Sequence, residues 1–196
     1  MIFIVDYGAG NLTSVKKALD WLGQQSIVTS DPARVSRSTK IVLPGVGHFA
    51  STSSLGSCGL QYEIVTCISR GIPFLGICVG LQWMFEGSAE SPETPGIRFF
   101  QGRCERFPES VKSPHVGWNQ IAISSSSRLF RAVPTAPFVY FTHSYRAPVV
   151  GQTTACCEYG GQFSAAVECD QLCGVQFHPE KSGDVGLQVL RNFCEL

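Results

Sequence analysis

The chain has 196 residues, of which 44% are hydrophobic and 15% charged, a balance that fits one compact globular unit. Fifteen basic and fifteen acidic residues cancel, so bulk charge gives no footprint for nucleic acid or a membrane surface. The opening Met1-Ile2-Phe3-Ile4-Val5-Asp6 lacks a basic lead and is too short an apolar run for a signal sequence or a membrane span; a cytoplasmic protein is expected.

Residues 2–5 read as a buried strand. Gly8-Ala9-Gly10-Asn11 is a turn, and residues 12–22 carry helical spacing at Leu12, Val15, Ala18, Leu19 and Leu22. The glycines do not complete a dinucleotide fingerprint, because Thr13 stands where its third glycine belongs; no cofactor is expected. Short strands are predicted at 26–29 and 41–43. Residues 51–59 are rich in small polar side chains, a weak basis for a helix. Residues 60–69 read as a helix ending at Gly71, and residues 72–77 as a fourth strand. Strands alternating with helices predict a mainly parallel sheet, with function outside the carboxyl ends of its strands.

The second half differs. Residues 86–118 are rich in Pro, Gly and Ser without a long helical pattern, and 124–127 form a polar run expected as an exposed loop. Strand candidates follow at 138–142, 153–158, 165–169 and 172–177, the last two joined by Asp170-Gln171 in a tight hairpin. Residues 185–193 close the chain as an amphipathic helix. With no internal repeat and no dividing linker, residues 1–196 read as a single domain.

Three segments carry chemistry. Gly76-Ile77-Cys78-Val79-Gly80 lies between an apolar strand and the helix-like run Leu81-Gln82-Trp83-Met84-Phe85. That is a nucleophile elbow with cysteine in place of serine. Its glycines allow a strained turn, and the N-terminus of the following helix favours the thiolate. Phe177-His178-Pro179-Glu180 supplies an imidazole and, two residues on, a carboxylate; in extended chain the two project to one side. A thiol needs such a base, and the base needs an acceptor that fixes its tautomer. Pro44-Gly45-Val46-Gly47, after a strand, can present backbone N–H groups to a developing oxyanion. Val46 and Val79 are the expected donors.

Nine cysteines in a reducing compartment are expected as free thiols, most of them small apolar core residues. The adjacent Cys156-Cys157 and the spacing of Cys169 and Cys173 do not match a zinc site, so no metal is expected. His48 is expected on a loop surface, and His115 and His143, with no neighbouring carboxylate, as structural or interface residues.

With these segments placed, the chain resembles the class I (triad) glutamine amidotransferases. Within them it is most similar to the glutaminase subunits of imidazole glycerol phosphate synthases. The matches span nearly the whole chain. They include Asp6-Tyr7-Gly8-Ala9-Gly10-Asn11-Leu12, Leu43-Pro44-Gly45-Val46-Gly47 and the Cys78 segment through Gln82. Further on are His115-Val116-Gly117-Trp118-Asn119, Tyr140-Phe141-Thr142-His143-Ser144-Tyr145, and Gly174 through Ser182 around His178. The resemblance implies an α/β, flavodoxin-like three-layer sandwich, with a largely parallel central sheet and added antiparallel strands. It implies that Cys78 attacks the side-chain amide of glutamine, that His178 is base and acid, and that Glu180 orients it. It implies glutamine contacts at Gly47, Gln82, Ser144 and Tyr145. Ammonia would pass to a (β/α)8-barrel cyclase subunit docked on Asn11, Trp118, Tyr140 and Lys181. Trp118 can also be read as a core aromatic. Val79 and Leu81 depart from the more usual Leu and Met of the elbow. Other readings stay open: the same glutaminase chemistry serving a sugar-modifying or pyridoxal phosphate synthase, a non-catalytic scaffold, or a cysteine hydrolase of another kind.

Overall fold

A computed structural model describes residues 1–124 and 127–196. Part of the expected polar loop at 124–127 lies outside the described residues. In the first half, β1 (Ile2–Val5), α1 (Leu12–Trp21), β2 (Ser26–Thr29), α2 (Pro32–Val35) and β3 (Lys40–Gly45) follow in order. A 3-10 turn (Phe49–Thr52), α3 (Ser53–Ser57), α4 (Leu60–Ser69), β4 (Phe74–Cys78) and α5 (Val79–Gln82) complete it. β5 (Gly87–Ser88), β6 (Ser91–Pro95), β7 (Arg103–Arg106), β8 (His115–Ile123), β9 (Phe138–His143) and β10 (Tyr145–Arg146) come next. The chain ends in β11 (Thr153–Glu158), β12 (Gln162–Cys169), β13 (Leu172–Val175), a 3-10 turn (Pro179–Lys181) and α6 (Gly183–Cys194).

Nine strands form one sheet in the order β2-β1-β3-β4-β13-β12-β11-β8-β9. The first five are mutually parallel, and from β12 onward the pairing is antiparallel. β1, β3 and β4 are apolar almost throughout because both sheet faces are covered. Helices flank the sheet in two groups: α1 packs with α6, and α2 and α3 with α4. The amphipathic α1 and α6 turn Val15, Leu19, Val189, Leu190 and Phe193 to the core and their charged residues outward. Among the described residues no helix is long and apolar enough to cross a membrane.

Several expectations needed revision. The weak segment at 51–59 still makes two short helical turns, and Ser51, Ser53 and Ser54 bond back to carbonyls three residues earlier. The helix-like run after Cys78 is a single turn. Beyond it the carbonyls of Trp83 and Met84 accept bonds from the Ile97 and Phe99 N–H groups instead. Residues 86–118 hold no long helix, as expected, but strands that were not expected there, β5, β6 and β7, join β10 in a second, four-stranded sheet. The Asp170-Gln171 hairpin is present, with Asp170 at φ 50°. All nine cysteines are free thiols. Cys67, Cys78, Cys104, Cys157 and Cys173 are buried, whereas Cys58 and Cys169 are exposed.

Candidate active site

β4 ends at Cys78, between β3 and β13. Gly45 pairs with Cys78 on one side, and Val175 with Ile77 on the other. Three parallel strands therefore deliver the Pro44–Gly47 loop, the elbow and the His178 segment to one carboxyl edge of the sheet. This register brings together residues one hundred positions apart.

The elbow is a strained turn. Cys78 has φ 55° and ψ −106°, far from the usual conformations of a residue with a side chain. Neighbouring backbone is so close that only glycine fits. A Cβ on Gly45 would lie 2.6 Å from the Val79 Cβ, and one on Gly76 would run into the Gly80 carbonyl. One on Gly80 would collide with the Leu43 carbonyl. The first turn of α5 is thus pressed directly onto β3.

The Cys78 thiol faces the Thr142 carbonyl at 3.9 Å and accepts an N–H from the Gln176 amide at 3.5 Å. The His178 and Glu180 side chains are each 1% exposed, and Nδ1 meets Oε1 at 2.9 Å. The segment is not extended as the sequence suggested. Pro179 starts a 3-10 turn, and this turn, rather than strand alternation, brings the carboxylate to the ring. Burial pulls the imidazole pKa down. The Cys78 sulfur and the Glu180 carboxylate beside the ring overcome it and raise the value to about 10. Among the described residues Nε2 has no aligned hydrogen-bond partner, and Cys78 is one of the two groups that hold the ring charged. An aligned bond is expected to form only with substrate in place.

Val46 is 41% exposed at the loop tip, and Gly47 takes φ 106°, a value open to glycine. Val79 is buried at the head of α5. A cleft of about 600 Å³ opens between this loop and the first glycine turn, lined by Gly8, Gly10, Val46 and His48. On the opposite side the Gln82 amide donates to the Tyr145 carbonyl at 2.8 Å, and the Ser144 carbonyl accepts from Phe107 N–H. The antiparallel half of the sheet curls back to reach this edge, since His178 N–H donates to the Tyr140 carbonyl of β9.

The four expected docking residues lie close to the site. Trp118 and Tyr140 are partners across β8 and β9, with rings 6.1 Å apart, and the Lys181 ammonium sits 5.8 Å from the Tyr140 ring. Trp118 is 55% exposed, which removes the core-aromatic reading. Asn11 precedes α1, which packs against the 3-10 turn carrying Lys181.

His48 is exposed and accepts the Ala50 N–H, capping the 3-10 turn that follows. His115 and His143 are buried and joined at 3.1 Å, and the His115 ring stacks between Phe141 and Tyr159. Burial lowers His115 to a pKa of about 4 and His143 to about 3, so both are neutral. Two residues near the sulfur were given no role by the sequence reading. Gln176 lies within a matched segment and touches Cys78. Tyr7 has a buried hydroxyl that makes no aligned hydrogen bond among the described residues, and burial followed by the charge of Cys78 pushes its pKa upward, against a smaller opposing effect of Ser51. Their places in quoted motifs were the only sequence signal.

Comparison with known proteins gives the family and the fold. The class-I glutamine amidotransferase family profile matches residues 3–196. The imidazole glycerol phosphate synthase subunit HisH of Moorella thermoacetica is 45% identical, with 100% of this chain and 94% of that protein aligned. The subunit of the same name from Methanothermobacter thermautotrophicus is also 45% identical, over 100% of this chain and 98% of that one. A crystal structure of a glutamine amidotransferase superposes with TM-score 0.78 at 16% identity, covering 100% of this chain and 98% of the other. The structure of PurLQS from Thermotoga maritima gives 0.74 at 17% identity, covering 99% and 97%. At such identities these two likenesses speak for the fold alone.

Proposed function

The chain belongs to the class-I glutamine amidotransferases and, within them, to the HisH subunits of imidazole glycerol phosphate synthase, and from that premise we propose how its residues divide the work. It hydrolyses glutamine as one subunit of that synthase, in histidine biosynthesis.

Cys78 is the nucleophile. His178 Nε2 takes the thiol proton before attack, the resulting thiolate attacks the side-chain amide carbon of glutamine, and the imidazolium hands that proton to the departing ammonia. Glu180 holds Nδ1–H and steadies the imidazolium. The N–H groups of Val46 and Val79 receive the oxyanion. Water then attacks the thioester with His178 as base, and glutamate leaves. Gly47, Gln82, Ser144 and Tyr145 hold the substrate.

Asn11, Trp118, Tyr140 and Lys181 dock a cyclase subunit with a (β/α)8-barrel fold, which takes up the ammonia. Ammonia is useful only while neutral and kept from bulk water, which favours an active site turned toward its partner. We assign the whole of residues 1–196 to one glutaminase domain working in the cytoplasm. The observation that carries this reading is the strained Cys78 facing a buried His178–Glu180 pair at the meeting of three parallel strand ends.

Glutamate release tests it. Cys78→Ala is expected to abolish release while circular dichroism stays unchanged; full activity in that variant removes the nucleophile. The Pro44–Gly47 peptide is expected to reorient when the cyclase binds, so the chain alone should turn over weakly. Equal turnover with and without the cyclase counts against that gating.

A further inference from the structure

Behind the sulfur lies a buried chain of amides. Gln176, fully buried, donates Nε2–H to Cys78 Sγ at 3.5 Å. Its own Oε1 accepts from Gln82 Nε2 at 3.1 Å, and Gln82 Nε2 also donates to the Tyr145 carbonyl at 2.8 Å. The order of these bonds fixes which end of each amide faces which neighbour. A backbone carbonyl can only accept, so Gln82 must present its NH2 group to Tyr145. That same NH2 group faces Gln176, and only the carbonyl end of Gln176 can receive it. The NH2 end of Gln176 is left for the sulfur. A main-chain atom on β10 therefore dictates that the nucleophile meets a donor and not an acceptor. Gln176 is further fixed by its backbone N–H on the Ala165 carbonyl.

The same carbonyl anchors a second branch. His143 Nδ1 donates to Tyr145 O at 2.9 Å, which leaves its Nε2 to accept from His115 Nδ1 at 3.1 Å. His115 Nε2 then faces the Asn119 amide at 3.4 Å, next to the exposed Trp118. Both branches keep the Tyr145 carbonyl saturated and fixed.

We propose that Gln176 is a further catalytic residue, a neutral N–H donor that stabilises and aims the Cys78 thiolate, with its orientation imposed by Gln82 and the Tyr145 carbonyl. The proposal rests on Cys78 being the nucleophile. A buried anionic sulfur needs donors around it, and His178 supplies only one side. As the sulfur bonds to the amide carbon, negative charge moves to the oxygen and the Gln176 bond weakens. When water cleaves the thioester, the thiolate is expelled and the donor receives it again. Gln176 neither gains nor loses a proton at any step.

The test is Gln176→Met, which keeps the volume and removes the donor. Alkylation of Cys78 by iodoacetamide is followed across pH by peptide mass spectrometry, which separates it from the other thiols. The midpoint is expected to move up by about one pH unit. In the complex with the cyclase, kcat for glutamine hydrolysis should fall roughly tenfold, with little change in KM. Gln82→Met, which frees Gln176 to turn, should shift the alkylation midpoint in the same direction by less. A purely packing role would lower the urea midpoint of Gln176→Met and leave its alkylation profile and kcat alone; that result overturns the proposal. If Gln176→Met does not fold, an unchanged alkylation profile in Gln82→Met overturns it equally. Retained hydrolysis in Cys78→Ala is the separate result that would remove the underlying assignment.

Discussion

At His178 two effects oppose one another. Burial favours the neutral ring, while the sulfur and the Glu180 carboxylate favour the charged one, and the charged form wins. The ring's pKa of about 10 in the fold compares with about 6.5 in the unfolded chain. The folded state therefore holds the proton more tightly, and the associated stability is complete below pH 6.5 and lost as pH rises toward 10. Glu180→Gln should cost more stability at pH 6 than at pH 10, as read from urea midpoints at the two values. It should also lower kcat by a factor on the order of 10³ or more, because an uncharged amide no longer steadies the imidazolium and can turn its NH2 end to the ring, which selects the wrong tautomer. The His-Pro-Glu motif revealed this pair, but the reason assigned to its geometry was incorrect. Side-chain alternation in a strand was expected; a 3-10 turn begun by Pro179 makes the contact. Residue types announce a histidine–carboxylate pair more readily than they announce the backbone that assembles it.

At the scale of elements, the elbow depends on β3, β4 and α5 approaching without side chains between them. Gly80→Ala forces a methyl group into the Leu43 carbonyl, which α5 cannot avoid without leaving the sheet. We expect a loss of about 1–3 kcal/mol in urea unfolding, with glutaminase activity reduced as Cys78 is displaced. The elements of the first half were legible because they are buried strands and amphipathic helices with clear periods. The second sheet was not. β5 and β6 are short, carry Pro92 and Pro95, and show no alternation, so they have no signal of their own. They are held in part by the Arg103 guanidinium, which donates to the Ser88 and Pro92 carbonyls. β8 was overlooked for a related reason: Val116 and Trp118 point apolar side chains outward, against the pattern of an ordinary strand.

For the whole molecule, that outward apolar face is a cost the isolated chain bears and a partner can relieve. Val116, Trp118 and Phe138 are each more than half exposed on adjacent strands. Trp118→Ala should leave the urea midpoint nearly unchanged and weaken cyclase binding about 30-fold, as titration calorimetry would measure. An unchanged affinity would place the docking surface elsewhere. The sequence by itself determined the chemistry and the class of fold: the strained cysteine between glycines, the histidine and its carboxylate, and the alternation that makes a parallel sheet. Each is written locally, in neighbouring residues or a short period. Only the tertiary structure decided which distant polar groups meet. Gln176 reaches Cys78, and Gln82 reaches Tyr145, because β13 lies beside β4 and the antiparallel strands curl back over the same edge. Strand order is set by how a whole core packs, and no window of neighbouring residues contains that information.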